Sequence, residues 1–262
     1  MEATVSESWP ACPAPARTAL EADDVVRLWP RLHGGDAEPL PDDPALLQAW
    51  VLYHQGRFEA AARAGLALGT PGLSLSHKAT CMQAIYVEPS EPRRLVMLLD
   101  VAERARRQQE LAPQQPAGWY WQGHALGRYS QGVSVAKALA RGLGGRVRSS
   151  LERTVALAPA HADAHLALAN FHAEVIDKVG ELIGGMTHGA RKSLGRLHYS
   201  QALALQPESP VTLHECAQGL VMLDGAAAEA EARRLRERAA TLPPVDAMER
   251  LYLEAVQAGL DG

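Results

Sequence analysis

Three predicted helices of this 262-residue chain end in nearly the same way: in ELAP at 110–113, in ALAP at 156–159 and in ALQP at 204–207. Proline has no N–H with which to continue a helix, so each of these sequences marks a helix end. A new amphipathic segment follows each one after a few polar residues, at 117–129, 162–175 and 211–223. The repetition predicts helical hairpins that follow one another along the chain.

The rest of the sequence continues this alternation. Helix pairs are predicted at 45–55 with 58–68, and at 73–87 with 93–111. No segment of useful length has the two-residue periodicity of a strand, so the predicted fold is all-α.

Additional helices are predicted at both ends of the repeats. The first covers 16–32, and the last, over 245–258, would shield the final apolar face, as the ends of a solenoid require. Residues 1–15 are polar and rich in proline, which predicts a flexible tail before a single domain at 16–262.

Small and large residues recur at particular positions of the predicted hairpins. The first unit contains, at the spacing of one known repeat signature, Ala49, Leu52, Gly56, Phe58 and Ala61. Later units repeat parts of that signature, at Trp119 and Gly123, Leu157 and Pro159, Leu168 and Ala169, Tyr199, Ala202 and Pro207, and Ala217 and Leu220. From about residue 44 to 240 the chain therefore resembles the tetratricopeptide repeat (TPR) superfamily. The resemblance implies a right-handed solenoid of about five hairpins with extra N-terminal and C-terminal helices.

The repeats are longer than an ordinary TPR unit. The closing prolines are 46 and 48 residues apart, against a period of about 34. The additional residues are glycine-containing insertions between the two helices of a unit, at 130–144, which carries two cations and no acid, and at 178–189, which carries one cation and one acid. Such insertions are similar to those of divergent TPR proteins, the regulators of microtubule dynamics and the T component of TRAP transporters. We expect the two insertions to be equivalent and to bring together Lys137, Arg141, Lys178 and Arg191.

The resemblance implies a scaffold that binds a protein or peptide in the concave groove formed by the first helices. The positions that face this groove in TPR proteins correspond here to Trp50, Tyr53, His54, Tyr120, His124, Arg128, Asn170, Glu174, His214 and Gln218. For the aromatic members, packing within the core is the alternative interpretation. Arg128 with Asn170 suits a carboxylate, which predicts an acidic segment or a C-terminus as ligand.

Composition limits the other functional classes. The net charge of −4 is not the positive charge expected of a nucleic-acid-binding protein. The segment 128–196 nevertheless carries ten basic residues against five acids. No stretch reaches the length of a membrane span and no secretory signal is visible, so a cytoplasmic protein is expected. The sequence does not indicate an oligomeric state.

No catalytic, cofactor or metal site is predicted, and we expect a protein that is not an enzyme. The three cysteines are far apart, and His161 with His165 lacks the further ligands that zinc requires. The glycine clusters lack the Lys-Ser/Thr ending of a phosphate loop. A helical carrier that encloses a solute or lipid under the insertions is the alternative function.

Overall fold

The computed structural model describes residues 8–260, and every regular element in that range is helical. The α-helices are α1 (Ala22–Leu32), α2 (Pro44–His54), α3 (Phe58–Ala67), α4 (Leu73–Met82), α5 (Glu91–Leu111), α6 (Pro116–Gln131), α7 (Val135–Ala140), α8 (Leu143–Leu157), α9 (Ala162–Val179), α10 (Glu181–His188), α11 (Lys192–Leu205), α12 (Pro210–Asp224), α13 (Glu229–Ala240) and α14 (Ala247–Leu260). A π-helical turn, Gln83–Val87, extends α4. None of the described helices is long and apolar enough to cross a bilayer.

Five helix pairs form the body of the fold. They are α2 with α3, α4 with α5, α6 with α8, α9 with α11, and α12 with α13. The second helix of each pair packs on the first helix of the next, and the first helices also contact one another in sequence order. The predicted all-α fold of stacked hairpins is confirmed.

The three repeated closing sequences adopt one conformation. The residue before each proline has φ and ψ of −143° and 68° at Ala112, −137° and 82° at Ala158, and −131° and 61° at Gln206. Each of these residues donates its N–H to the carbonyl four residues earlier, at 2.8 Å. The proline ring excludes the helical conformation from the residue before it, so the helix ends there.

The first helix begins later than the sequence predicts. It starts at Ala22 rather than at residue 16, because Glu21 and Asp24 form a capping box at its N-terminus. Each side chain accepts a hydrogen bond from the other residue's backbone N–H, which satisfies two donors that a helix start leaves open.

Part of the predicted N-terminal tail packs on the solenoid. Residues 1–7 lie outside the described residues. Cys12 is buried, and the Pro10 carbonyl accepts a hydrogen bond of 2.8 Å from Gln83 Nε2. Cys12 and the Pro10 backbone therefore contact the solenoid within the segment that the sequence predicts as a tail.

Both insertions contain a short helix. The first forms α7 between α6 and α8, and the second forms α10 between α9 and α11. The end of α10 lies against the start of α8, where Arg148 Nη1 donates to the His188 carbonyl at 3.3 Å. The proximity of the four basic side chains that sequence analysis groups together stays a prediction.

Small residues allow the close packing of the hairpins, as at Gly123. A Cβ atom at Gly123 would lie 2.9 Å from Leu151 Cγ of α8, and Ala169 is fully buried in α9. We expect Gly123→Leu or Ala169→Leu to overpack these contacts and to cost about 1–3 kcal/mol in the free energy of unfolding. Urea denaturation measures the cost.

A control at a glycine without close neighbours distinguishes the effect of overpacking on stability from the effect of helix propensity. Gly145 lies within α8, and a Cβ there would meet nothing within 4 Å. Gly145→Ala should leave stability equal or raise it by up to about 1 kcal/mol. A Gly123→Leu protein as stable as the parent would contradict the close approach of Gly123 to Leu151.

Candidate functional site

The loop that follows α1 covers part of the face formed by the first helices. The Asp163 N–H at the start of α9 donates to the Gly35 carbonyl at 2.9 Å. A Cβ at Gly35 would lie 2.5 Å from Asp163 Oδ1, so a larger residue here would require the Asp163 side chain to move. The loop after α1 thus contacts the start of α9, in the fourth helix pair.

The last helix, α14, covers another part of the same face. It contacts α12 and, at the opposite end of the solenoid, α2. Glu249 pairs with Arg31 of α1 at 2.8 Å, and Arg250 Nη1 donates to the Arg17 carbonyl at 2.8 Å. The C-terminal helix therefore joins the last hairpin to the N-terminal segment.

A chain of buried polar contacts joins these segments, and we call it the closing cluster: His33, Asp36, His54, Lys78 and Asp246. Asp36 contacts Lys78 Nζ at 2.6 Å and His33 Nδ1 at 3.0 Å. His33 Nε2 lies 3.2 Å from His54 Nε2, and His54 Nδ1 lies 2.8 Å from Asp246 Oδ2. The five side chains come from the loop after α1, from α2, from α4 and from the start of α14.

The two histidines of the closing cluster lie between its two carboxyl groups. Three contacts run from Asp36 through His33 and His54 to Asp246, and each requires one hydrogen. Two neutral imidazoles supply only two N–H groups. Burial lowers the pKa of His33 to about 4, although the Asp36 carboxylate acts in the opposite direction, so the His33 ring is neutral near pH 7.

Lys78 is the cation that balances this region. Its Nζ lies 5.7 Å from the ring centroid of Trp50 and 5.3 Å from that of Tyr53, within range of cation–π attraction. Burial alone would raise the pKa of Asp36, but Lys78 and His33 lower it well below its ordinary value. The ion pair is closed to solvent, and the closing cluster joins the segments from which its members come.

Glu38 is a carboxyl whose ionisation opposes folding. Burial raises its pKa to about 7, and the nearby Asp36 carboxylate acts in the same direction. Because this value lies above that of the unfolded chain, the stability given by the neutral form is complete below about pH 4.5 and is lost as the pH rises through 7. At pH 8 the parent therefore carries the full cost of ionising Glu38.

We expect Glu38→Gln to be more stable than the parent by about 2 kcal/mol at pH 8, allowing for partial exposure, and nearly equal to it at pH 4.5. The amide oxygen can still accept the hydrogen bond that Ser74 Oγ donates at 2.7 Å. Urea denaturation at the two pH values checks this, with Asp42→Asn in the same loop as the control for losing one negative charge. The same difference at both pH values would contradict a raised pKa.

The predicted groove residues fall into two groups. Trp50, Tyr53, His54 and Tyr120 are buried, and for the three aromatic residues this matches the alternative of core packing. The others keep some exposure: His124, Arg128, Asn170, Glu174 and His214 are half-buried, and Gln218 is exposed.

Arg128 is the basic residue of the half-buried group, and its side chain is not paired with any of the described residues. Within the described part of the chain, its guanidinium makes no hydrogen bond or ion pair. Burial alone would lower its pKa, but Tyr86 and Glu215 raise it above its ordinary value, so the group stays charged. Its donors are available to a ligand.

The polar groups around Arg128 are already paired with one another. Asn170 Nδ2 donates to Glu215 Oε2 at 2.8 Å, and its Oδ1 accepts from Tyr199 at 2.7 Å. The other Glu215 oxygen accepts from Tyr252 of α14 at 2.9 Å. The Asn170 amide, predicted as a ligand contact, is thus engaged within the chain, and so is Glu215, whose charge raises the pKa of Arg128.

The histidine pair of α9 is divided between two structural roles. His161 Nδ1 accepts from the Ala164 N–H at 3.2 Å and caps the helix. His165 Nδ1 faces His198 Nδ1 of α11 at 2.9 Å.

Sequence analysis missed the closing cluster, although Lys78 carried a signal. It lies in α4 between residues that are buried from Ser74 to Met82. A lysine in such an apolar helix requires a buried acid as partner.

Comparison with known proteins supports the fold. No protein-family model and no curated protein sequence matches the chain. The crystal structure of a thermophilic TPR protein from Thermus thermophilus is similar, with a TM-score of 0.53 and 17% identity over 75% of this chain and 96% of that chain. The hairpins are therefore those of a TPR-like solenoid, as the sequence predicts.

Proposed function

We propose that this TPR-like solenoid is a binding scaffold, not an enzyme, and that it recognises an acidic segment or C-terminus of another protein at Arg128. The observation that carries the proposal is a charged, half-buried guanidinium with no partner among residues 8–260. An arginine fork matches the two oxygens of a carboxylate.

The surroundings of Arg128 favour a ligand over an internal ion pair. Glu215 is held by Asn170 and Tyr252. Glu174 accepts from Gln131 at 2.9 Å and pairs with Lys178 at 3.5 Å. A ligand carboxylate would therefore complete the site without displacing an existing partner of Arg128.

The buried half of the predicted groove limits where a partner lies. The loop after α1 and helix α14 cover the face near Trp50 and His54. We place the ligand beside Arg128 along α6 and α9, with the exposed Gln218 of α12 as a further contact, because His214 is already bonded to Tyr252 of α14 at 3.0 Å. A cytoplasmic location remains part of this proposal.

The test is a binding titration of fluorescein-labelled acidic decapeptides, made with free and with amidated C-termini. We expect Arg128→Ala to weaken binding about tenfold or more, because a charged hydrogen-bonded contact is lost. Added salt should weaken binding to the parent.

Matched variants make the result specific. Arg128→Lys keeps the charge without the fork and should recover only part of the affinity. Arg63→Ala removes an exposed cation from α3 and should leave it unchanged. Equal affinity of Arg128→Ala and the parent would remove the support for this site.

One observation bears on the alternative of a carrier for small molecules. A depression of about 400 Å³ lies between α8 and α10, lined by Arg148, Ser149, Glu152 and His188 among others. Its polar lining suits a small polar solute rather than an acyl chain.

A further inference from the structure

The second insertion carries an apolar stripe that the described chain does not cover. Leu182, Ile183 and Met186 of α10 are exposed by 78%, 55% and 81%. Leu182, Ile183 and Met186 lie at i, i+1 and i+4 and so share one side of α10. Val179, the last residue of α9 before the break at Gly180, is exposed by 36%. Exposed apolar stripes of this kind mark interaction sites in soluble proteins.

The helix is anchored by another of its faces. A Cβ atom at Gly184 would lie 2.9 Å from Val175 Cγ1 of α9 and 3.6 Å from the buried Ala190. Because the glycine side packs on the solenoid, the bulky side chains project away from it.

The sequence on either side of the stripe is rich in basic residues. Residues 137–148 carry four cations and no acid, and residues 178–196 carry four cations and one acid. The start of α8 meets the end of α10, where a Cβ at Gly144 would lie 2.7 Å from His188 Cδ2. The basic start of α8 therefore adjoins the end of α10, where Arg148 Nη1 donates to the His188 carbonyl.

Two of these cations are available for an external anion. Arg146 and Arg191 are exposed, and their side chains make no hydrogen bond or ion pair with the described residues. By contrast, Lys178 pairs with Glu174 at 3.5 Å and Lys192 with Asp224 at 3.8 Å.

We propose that α10 docks the protein on the surface of an anionic membrane. Leu182, Ile183 and Met186 enter the boundary between headgroups and acyl chains, and the flanking arginines contact the lipid phosphates. A short helix with a projecting apolar face and a cationic border suits shallow insertion parallel to the bilayer.

The charges favour this occupant over two others. A second copy of the chain would bring two cationic surfaces together, which opposes association. A protein partner is usually anchored by aromatic residues packed in pockets, whereas this stripe is aliphatic and projecting. A bilayer requires no matching pocket.

The experiment is co-sedimentation of the full chain with phosphatidylcholine vesicles, with and without phosphatidylserine. We expect binding only to the anionic vesicles, weakened by salt. Leu182→Ser with Met186→Ser should weaken it at least tenfold, since each buried methylene contributes to insertion. Arg146→Gln with Arg191→Gln should weaken it on the order of fivefold per charge.

Leu111→Ser is the matched control, because Leu111 is similarly exposed but ends α5. Circular dichroism checks that each variant is folded. Absence of binding to anionic vesicles, or an equal loss with the control, would overturn the proposal. So would self-association in sedimentation velocity that Leu182→Ser with Met186→Ser abolishes, which would assign the stripe to a second copy.

Discussion

Replacing Lys78 with methionine is expected to lower the free energy of unfolding by about 3–5 kcal/mol, because it leaves a buried carboxylate without its counter-ion. Methionine has similar length and retains packing against the rings of Trp50 and Tyr53, so the loss reports mainly on charge. Urea denaturation at pH 7 measures it.

Two controls define the origin of this loss. Adding Asp36→Asn to Lys78→Met removes the uncompensated charge and keeps an acceptor for the His33 N–H, so most of the stability should return. Arg63→Ala, which breaks an exposed pair with Glu59, should cost about 1 kcal/mol or less. A Lys78→Met protein as stable as the parent would show that the ion pair does not hold the fold.

The second large effect is expected at Tyr252, which fixes α14 to α12. The ring is buried, and its hydroxyl donates to Glu215 at 2.9 Å while accepting from His214 Nδ1 at 3.0 Å. Tyr252→Ala should cost about 3–5 kcal/mol, because it creates a cavity and removes both hydrogen bonds. Tyr252→Phe removes only the hydroxyl and should cost about 1 kcal/mol.

Hydrogen exchange distinguishes local from general loosening in the Tyr252→Ala protein. Amides of α14 should lose protection first, since this helix makes few contacts with the hairpins besides those at its two anchored ends. Unchanged protection of α14 would contradict the role assigned to Tyr252.

The hairpins were predictable because their signals are local. Each closing proline fixes a helix end, and the three caps at Ala112, Ala158 and Gln206 repeat one geometry. The error at the first helix is also local: the predicted start at residue 16 overlooked the capping box of Glu21 and Asp24. Apolar residues before such a cap need not be helical.

The covering of the groove was not predictable from the repeats. Signature positions place Trp50 and His54 on the face of the first helices, but they do not tell what else lies on that face. His54 meets Asp246, which is 192 residues later in the chain. Contacts of this separation leave no periodic pattern.

The contact of α14 with α2 changes how the repeats depend on one another. In an open array each hairpin is stabilised by its neighbours alone, so end repeats fray and unfolding spreads stepwise. Here the first and last hairpins are fastened by shared buried groups. During synthesis, His54 emerges long before Asp246, so the contact between them can form only after the intervening hairpins have been made. The finished protein should then unfold as one unit, with no end from which fraying can begin.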